Sequence, residues 1–306
     1  MKCFRFLLTL AGATLWLAGC QERLPVELVS DESAHVFDVR FVEKLDSKLI
    51  IDSSVDSTGL LYRDEQMFPA TLLVNSVKSD LGGGRKKFSF SRILINDKRN
   101  PITDSGRVVG YLGLDVGKAK LNALNLPKII RPYRTPSTLS ILQNAGPSYA
   151  LVEELDRVPV DPGIIPGQHY AFIADGRGAV KPFTVTIQGP DEITIIEPKA
   201  LSIVPKDEDL QARWDGVAGE SFKVVISLYN PNAIVVVQPL ASMGVQRGKN
   251  SVTIPAKLLQ ALPLSSDNRY LFSFISLNQK KTQIPGYSES VLVQAASIHN
   301  LIFWLR

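Results

Sequence analysis

Leu210-Gln211-Ala212-Arg213-Trp214, followed across a loop by Phe222-Lys223-Val224-Val225-Ile226, is the stretch that decides the fold. In the first run apolar Leu210, Ala212 and Trp214 alternate with polar Gln211 and Arg213. Successive side chains of a strand point to opposite faces, so this alternation marks a strand with one buried face. Asp215-Gly216 supplies a turn after it. Outward from this pair, Ile193–Ile196, Leu201–Val204, Ile234–Gln238, Ser251–Ile254, Tyr270–Leu277, Val291–Ala295 and Leu301–Leu305 read as further strands. Asn230-Pro231-Asn232 is another turn. Short strands at a spacing of roughly 8 to 12 residues predict a sandwich or barrel. One helical turn is expected at Pro255–Leu262, with Pro255 at the first helical position and Pro263 as its stop.

Upstream, the strand signals are Val36–Val42, Leu49–Ile51, Thr71–Val74, Phe88–Ile95, Val108–Leu112, Tyr149–Glu153, Tyr170–Ala174 and Pro182–Ile187. The fourth ends at Asn96-Asp97, a turn signal. The last two flank Asp175-Gly176-Arg177-Gly178, which reads as a hairpin loop. Lys118–Leu126 predicts a short helix stopped by Pro127. Thr138–Gln143 fits one further turn or a short strand. Seven prolines between Pro127 and Pro166 exclude a long helix there. The fold class expected is mainly β, with two β-rich domains at 35–189 and 190–306, the second a sandwich with a short inserted helix.

The second domain resembles an immunoglobulin or fibronectin type III sandwich, on Leu210–Trp214 and Phe222–Ile226. The resemblance implies that Trp214, from an early strand, is buried between two sheets. The chain lacks the Cys-Trp-Cys spacing of antibody domains.

The N-terminus has a basic start, Lys2 and Arg5, an apolar run from Phe6 to Leu17, and small residues at Leu17-Ala18-Gly19-Cys20. These are the three parts of a secretory signal. The run is shorter than the roughly 20 apolar residues of a spanning helix. It ends in Gln21-Glu22-Arg23 rather than a basic stop. A cysteine at the cut resembles the lipobox of bacterial lipoproteins. The resemblance implies a signal peptide at 1–19, acylation of Cys20, and a polar tether at 20–34. Gln21 in place of an aspartate implies the outer membrane.

Removing Lys2 and Arg5 leaves a body near neutrality, which gives no electrostatic footprint for nucleic acid. The two cysteines, Cys3 and Cys20, both lie at the N-terminus. The body therefore has no disulfide, thiol nucleophile or cysteine metal ligand. Its core must hold it, and it is long enough for that.

The chain offers little catalytic vocabulary. His35, His169 and His299 each fall at the start of a predicted strand, with no neighbour at metal spacing, and HExxH and GxSxG are absent. They read as structural or solvated. Gly82-Gly83-Gly84-Arg85-Lys86-Lys87 has the glycines of an anion nest, but Phe88 onward is a strand and the P-loop spacing is missing. It is expected to be a hairpin loop, with contact to anionic lipid or polysaccharide as a lesser role. Glu153, Glu154, Asp156 and Asp161 read as a solvated edge, because neighbouring strand residues face opposite ways and do not form a carboxylate pair. Tyr133, Tyr149 and Tyr170 fit either stacking on a sugar or partner, or a place in a core.

No catalytic, cofactor or metal residue is assigned, and Cys20 is the one site. The expected function is a lipid-anchored envelope protein, not an enzyme, that binds or scaffolds a protein or glycan partner. The competing class is a hydrolase of envelope polysaccharide, peptide or lipid. That class requires a cleft joining His169 or His35 to a carboxylate.

Overall fold

The computed structural model describes residues 39–41, 50–51, 69–82, 85–134, 143–151, 164–216, 219–230, 237–263 and 269–306. Its strands are β1 (Val39–Phe41), β2 (Ile50–Ile51), β3 (Ala70–Asp80), β4 (Arg85–Asp104), β5 (Arg107–Gly113), β6 (Ala119–Leu121), β7 (Leu124–Leu126), β8 (Lys128–Arg134), β9 (Gln143–Leu151) and β10 (His169–Ala174). They continue with β11 (Phe183–Gln188), β12 (Thr194–Glu197), β13 (Ile203–Val204), β14 (Leu210–Asp215), β15 (Ser221–Tyr229), β16 (Val237–Val245), β17 (Ser251–Ile254), β18 (Arg269–Thr282) and β19 (Val291–Leu305). The helix α1 (Ala256–Ala261) stands between β17 and β18. The fold is mainly β.

A large mixed sheet runs in the order β1-β16-β15-β18-β19-β3-β4-β9-β8-β2. At its centre β19 lies antiparallel to β18 and parallel to β3, from Val291 opposite Ala70 to Leu301 opposite Asp80. Beyond Asp80 the chain leaves β19, and β13 takes its place, with Ile203 opposite Trp304 and Val204 opposite Leu305.

Two small sheets cover one face of this large sheet. The first is β11-β10-β6-β7. Its alternating residues Phe183, Val185 and Ile187 bury against Leu72, Val74, Val291, Val293 and Ala295. The second is β12-β14-β17. Its Leu210, Ala212 and Trp214 bury against Phe222, Val224, Phe272, Phe274, Leu301 and Phe303. Trp214 is 1% exposed, stacked on Phe222 with ring centroids 4.5 Å apart and 5.5 Å from Phe274. Helix α1 adds Leu258 and Leu259 to this second core. Pro255 sits just before the helix in extended conformation, and the Ala256 N–H donates to Asp209 at 2.8 Å. Residues 35–306 form one compact unit. The expected division at 189/190 falls between the two cores, while β19 runs through both: its odd positions 291–295 serve the first and 301–305 the second.

Three local expectations are corrected. Lys118–Leu126 is not a helix but the hairpin β6–β7. Ala119 and Leu121 are buried and Lys120 exposed, a period of two, and Asn122 turns the chain with φ 51°. Its side chain then stitches the turn to β10, accepting the Ala171 N–H at 2.8 Å. Asn96-Asp97 does not end its strand. There β4 bulges, shifting register between Asp97 and Pro101, because the Asp97 carboxylate accepts the Arg99 backbone N–H at 3.1 Å and Asn100 at 2.7 Å. The turn comes at Ser105-Gly106, both in the left-handed region. Finally, Val291–Ala295 and Leu301–Leu305 are one strand, β19, of 15 residues. The intervening Ser297, His299 and Asn300 are polar but buried.

Candidate functional site

The polar residues of β19 open onto a hydrogen-bonded cluster that joins β19, β3 and β12. A strand places every second side chain on one face. On β19 that puts Ser297 and His299 between the two cores, on the face of Val293 and Phe303. The register sets His299 opposite Lys78 of β3, with Asp80 two residues on. Strand β12 and the residues before it lie across this row. The Ile193 N–H donates to Ser297 Oγ at 3.2 Å, and the Ile195 N–H to His299 Nδ1 at 2.7 Å. Lys78, itself buried, donates to Thr194 Oγ1 at 2.8 Å and Glu192 Oε1 at 3.2 Å. Lys87 reaches the same carboxylate at 3.0 Å. Burial would raise the Glu192 carboxyl, but hydrogen bonds from Lys87 and Lys78 outweigh it and hold the group below the usual range.

His299 is 1% exposed. Its Nδ1 accepts a backbone N–H, so the proton of the neutral ring sits on Nε2, which faces Asp80 Oδ2 at 3.4 Å. Both ring nitrogens are therefore shut off from solvent, Nδ1 by the Ile195 N–H and Nε2 by burial beside Asp80. A general base must present a nitrogen within reach of substrate, and this imidazole presents none. It ties β12 to the sheet.

A second cluster surrounds Asp115. Its carboxylate accepts Lys128 at 2.6 Å, the Gly117 N–H at 2.9 Å and the Tyr149 hydroxyl, and pairs with Arg177 at 3.1 Å. Burial pushes the Asp115 carboxyl up, but the hydrogen bonds from Lys128, Tyr149 and Gly117 hold it well below the ordinary range. Burial first, then the Asp115 carboxylate, pushes the Tyr149 phenol up to about 12. This cluster clamps β9 to the turn before β6.

The residues singled out from the sequence do not converge. Cys20, His35, Glu153, Glu154, Asp156 and Asp161 lie outside the described residues. His169 opens β10 and is exposed. His299 is mid-strand, not at a strand start. Gly82 is at the end of the β3–β4 hairpin with φ 87°; Gly83 and Gly84 lie outside the described residues, and Arg85 and Lys86 open β4. Tyr133, Tyr149 and Tyr170 are 7%, 2% and 3% exposed, which places them in cores rather than against a ligand. Among the described residues no three His, Cys, Asp or Glu stand together as a metal site, and no helix is long and apolar enough to cross a membrane. Lys78, Asp80, Glu192 and Asp115 carry no local motif. For Lys78, Asp80 and Glu192 the one signal was the set of polar residues Ser297, His299 and Asn300 within an apolar strand.

The chain matches no protein-family model, and none of the curated proteins matches it.

Proposed function

We propose that this is a lipid-anchored protein of the bacterial cell envelope, held through Cys20, on the outer membrane, and that its β body binds or scaffolds a protein or glycan partner rather than catalysing a reaction. The observation that carries the non-enzymatic reading is the state of His299. The one histidine that meets a carboxylate in the described residues is buried, with Nδ1 bonded to the Ile195 N–H and Nε2 enclosed beside Asp80, so neither nitrogen is open to a substrate. The buried Trp214 stack supports reading 190–306 as an immunoglobulin-like sandwich, although its larger sheet is shared with the rest of the chain.

The test is an activity panel of ester, peptide, glycan and phosphate substrates with the full chain and its His35→Ala, His169→Ala and His299→Ala variants. No turnover is expected. Turnover that disappears in one variant replaces this reading with the hydrolase. The anchor is tested separately by fatty-acid labelling, which Cys20→Ser should abolish.

A further inference from the structure

We infer that the end of the large sheet around Leu201 and Ile203 is a membrane-contact patch that rests on an anionic lipid surface. The inference rests on the lipid-anchored reading above and adds where the body meets the bilayer.

Ile203 is 62% exposed, Leu201 45% and Leu81 38%. They are brought together by the sheet. Leu81 follows β3 at the hairpin tip, and a Cβ on its neighbour Gly82 would lie 3.2 Å from Leu201 Cδ2. Ile203 is the register partner of Trp304, so the two side chains share a face, and Trp304 is half-buried. Scattered exposed aliphatics need no explanation; a contiguous set beside a tryptophan does. Tryptophan with aliphatic neighbours is the composition of a membrane interface.

Leu201 adds a second, independent observation. Its φ is 63°, a left-handed conformation that a bulky side chain adopts at a cost and that glycine or asparagine adopts readily. The chain is pinned on both sides of it: the Leu201 N–H donates to Ile302 O at 2.7 Å, and the Trp304 N–H to Ser202 O at 3.0 Å. A leucine is thus held in a strained backbone with its side chain displayed to solvent. Neither folding nor solubility favours that choice, whereas contact with an apolar phase does.

An exposed cation beside the patch selects the kind of surface. Lys199 is exposed two residues before Leu201. A basic residue beside apolar ones favours anionic lipid, and an anchored protein gains from such a second contact.

Trp304 reports directly on this contact. The full chain carrying Trp16→Phe leaves Trp214, sealed in its core, and Trp304 as fluorophores. Bound to vesicles containing brominated lipid, Trp304 emission should be quenched, more with phosphatidylglycerol present than with phosphatidylcholine alone. Leu201→Asn should keep or raise Tm while reducing that quenching, and Ile203→Asp should abolish it with the chain still vesicle-bound. Unquenched Trp304 in vesicle-bound chain overturns the inference, as does quenching that survives both substitutions. Shielding of Trp304 from acrylamide by envelope proteins, without lipid quenching, also overturns it in favour of a protein partner. Labelling of Cys20 separates the two readings: acylated Cys20 with unquenched Trp304 defeats the patch alone, and quenched Trp304 without acylation defeats the anchor alone.

Discussion

At the scale of single residues, two positions carry consequences that can be measured. Trp214 is enclosed by Phe222 and Phe274, and its indole N–H meets no acceptor among the described residues. Trp214→Ala leaves a cavity and should cost about 3–5 kcal/mol in urea unfolding. Trp214→Phe, which removes the unpartnered donor while keeping a ring, should cost much less. The Asp115–Tyr149 pair sets pH limits. The folded Asp115 carboxyl lies below its ordinary value, so its contribution is present above the unfolded pKa, about 4, and is lost as pH falls below it. The folded Tyr149 phenol is raised to about 12, so its contribution is present below the unfolded pKa and is lost as pH rises toward the folded value. Tm should therefore fall at both extremes. Asp115→Asn should lower Tm at neutral pH and flatten the acid arm, and Tyr149→Phe should flatten the alkaline arm. Trp214 was legible in the sequence because alternation alone buries it. Asp115 was not, because its partners Lys128, Tyr149 and Arg177 come from three separate strands and loops.

At the scale of elements, the alternating runs gave β11, β14 and β17 directly, and the glycine-rich turn gave the β10–β11 hairpin. The errors share one cause: a local signal was overruled by a partner distant in sequence. The apolar spacing of Lys118–Leu126 fits a helix as well as a hairpin until β10 pairs with β6. Ser297, His299 and Asn300 separate two apolar runs that read as two strands until β12 and β3 supply their partners. Crossings of this kind leave no space for extra atoms. Where β5 passes β9, a Cβ on Gly113 would lie 2.1 Å from Pro147 O. Gly113→Ala should therefore force the strands apart and cost about 1–3 kcal/mol, by the measure of overpacked cores. A variant that melts like the wild type would show that β5 is not seated against β9.

At the scale of the whole molecule, β19 is the shared wall of both cores. Two-state unfolding requires that probes in different places report one transition. In a chain carrying Trp16→Phe and Trp304→Phe, Trp214 emission reports the second core, and amide exchange in β10 and β11 reports the first. The two should lose structure together, at one denaturant midpoint. Separate midpoints would mean that the cores are independent and that β19 is a seam rather than a common wall.

The parallel pairing of β19 with β3 sets the order of events as the chain is made. The paired residues Val291 and Ala70 are neighbours in the sheet but lie far apart in sequence. Closing so long a loop precedes any reward from the contacts it allows, and non-local sheets of this kind fold in roughly milliseconds to seconds. The middle of the sheet stays open until the residues of β19 have been synthesised. A chain that cannot complete its central sheet early stays incompletely folded while it is being made, the state that export would require under the lipid-anchored reading proposed above.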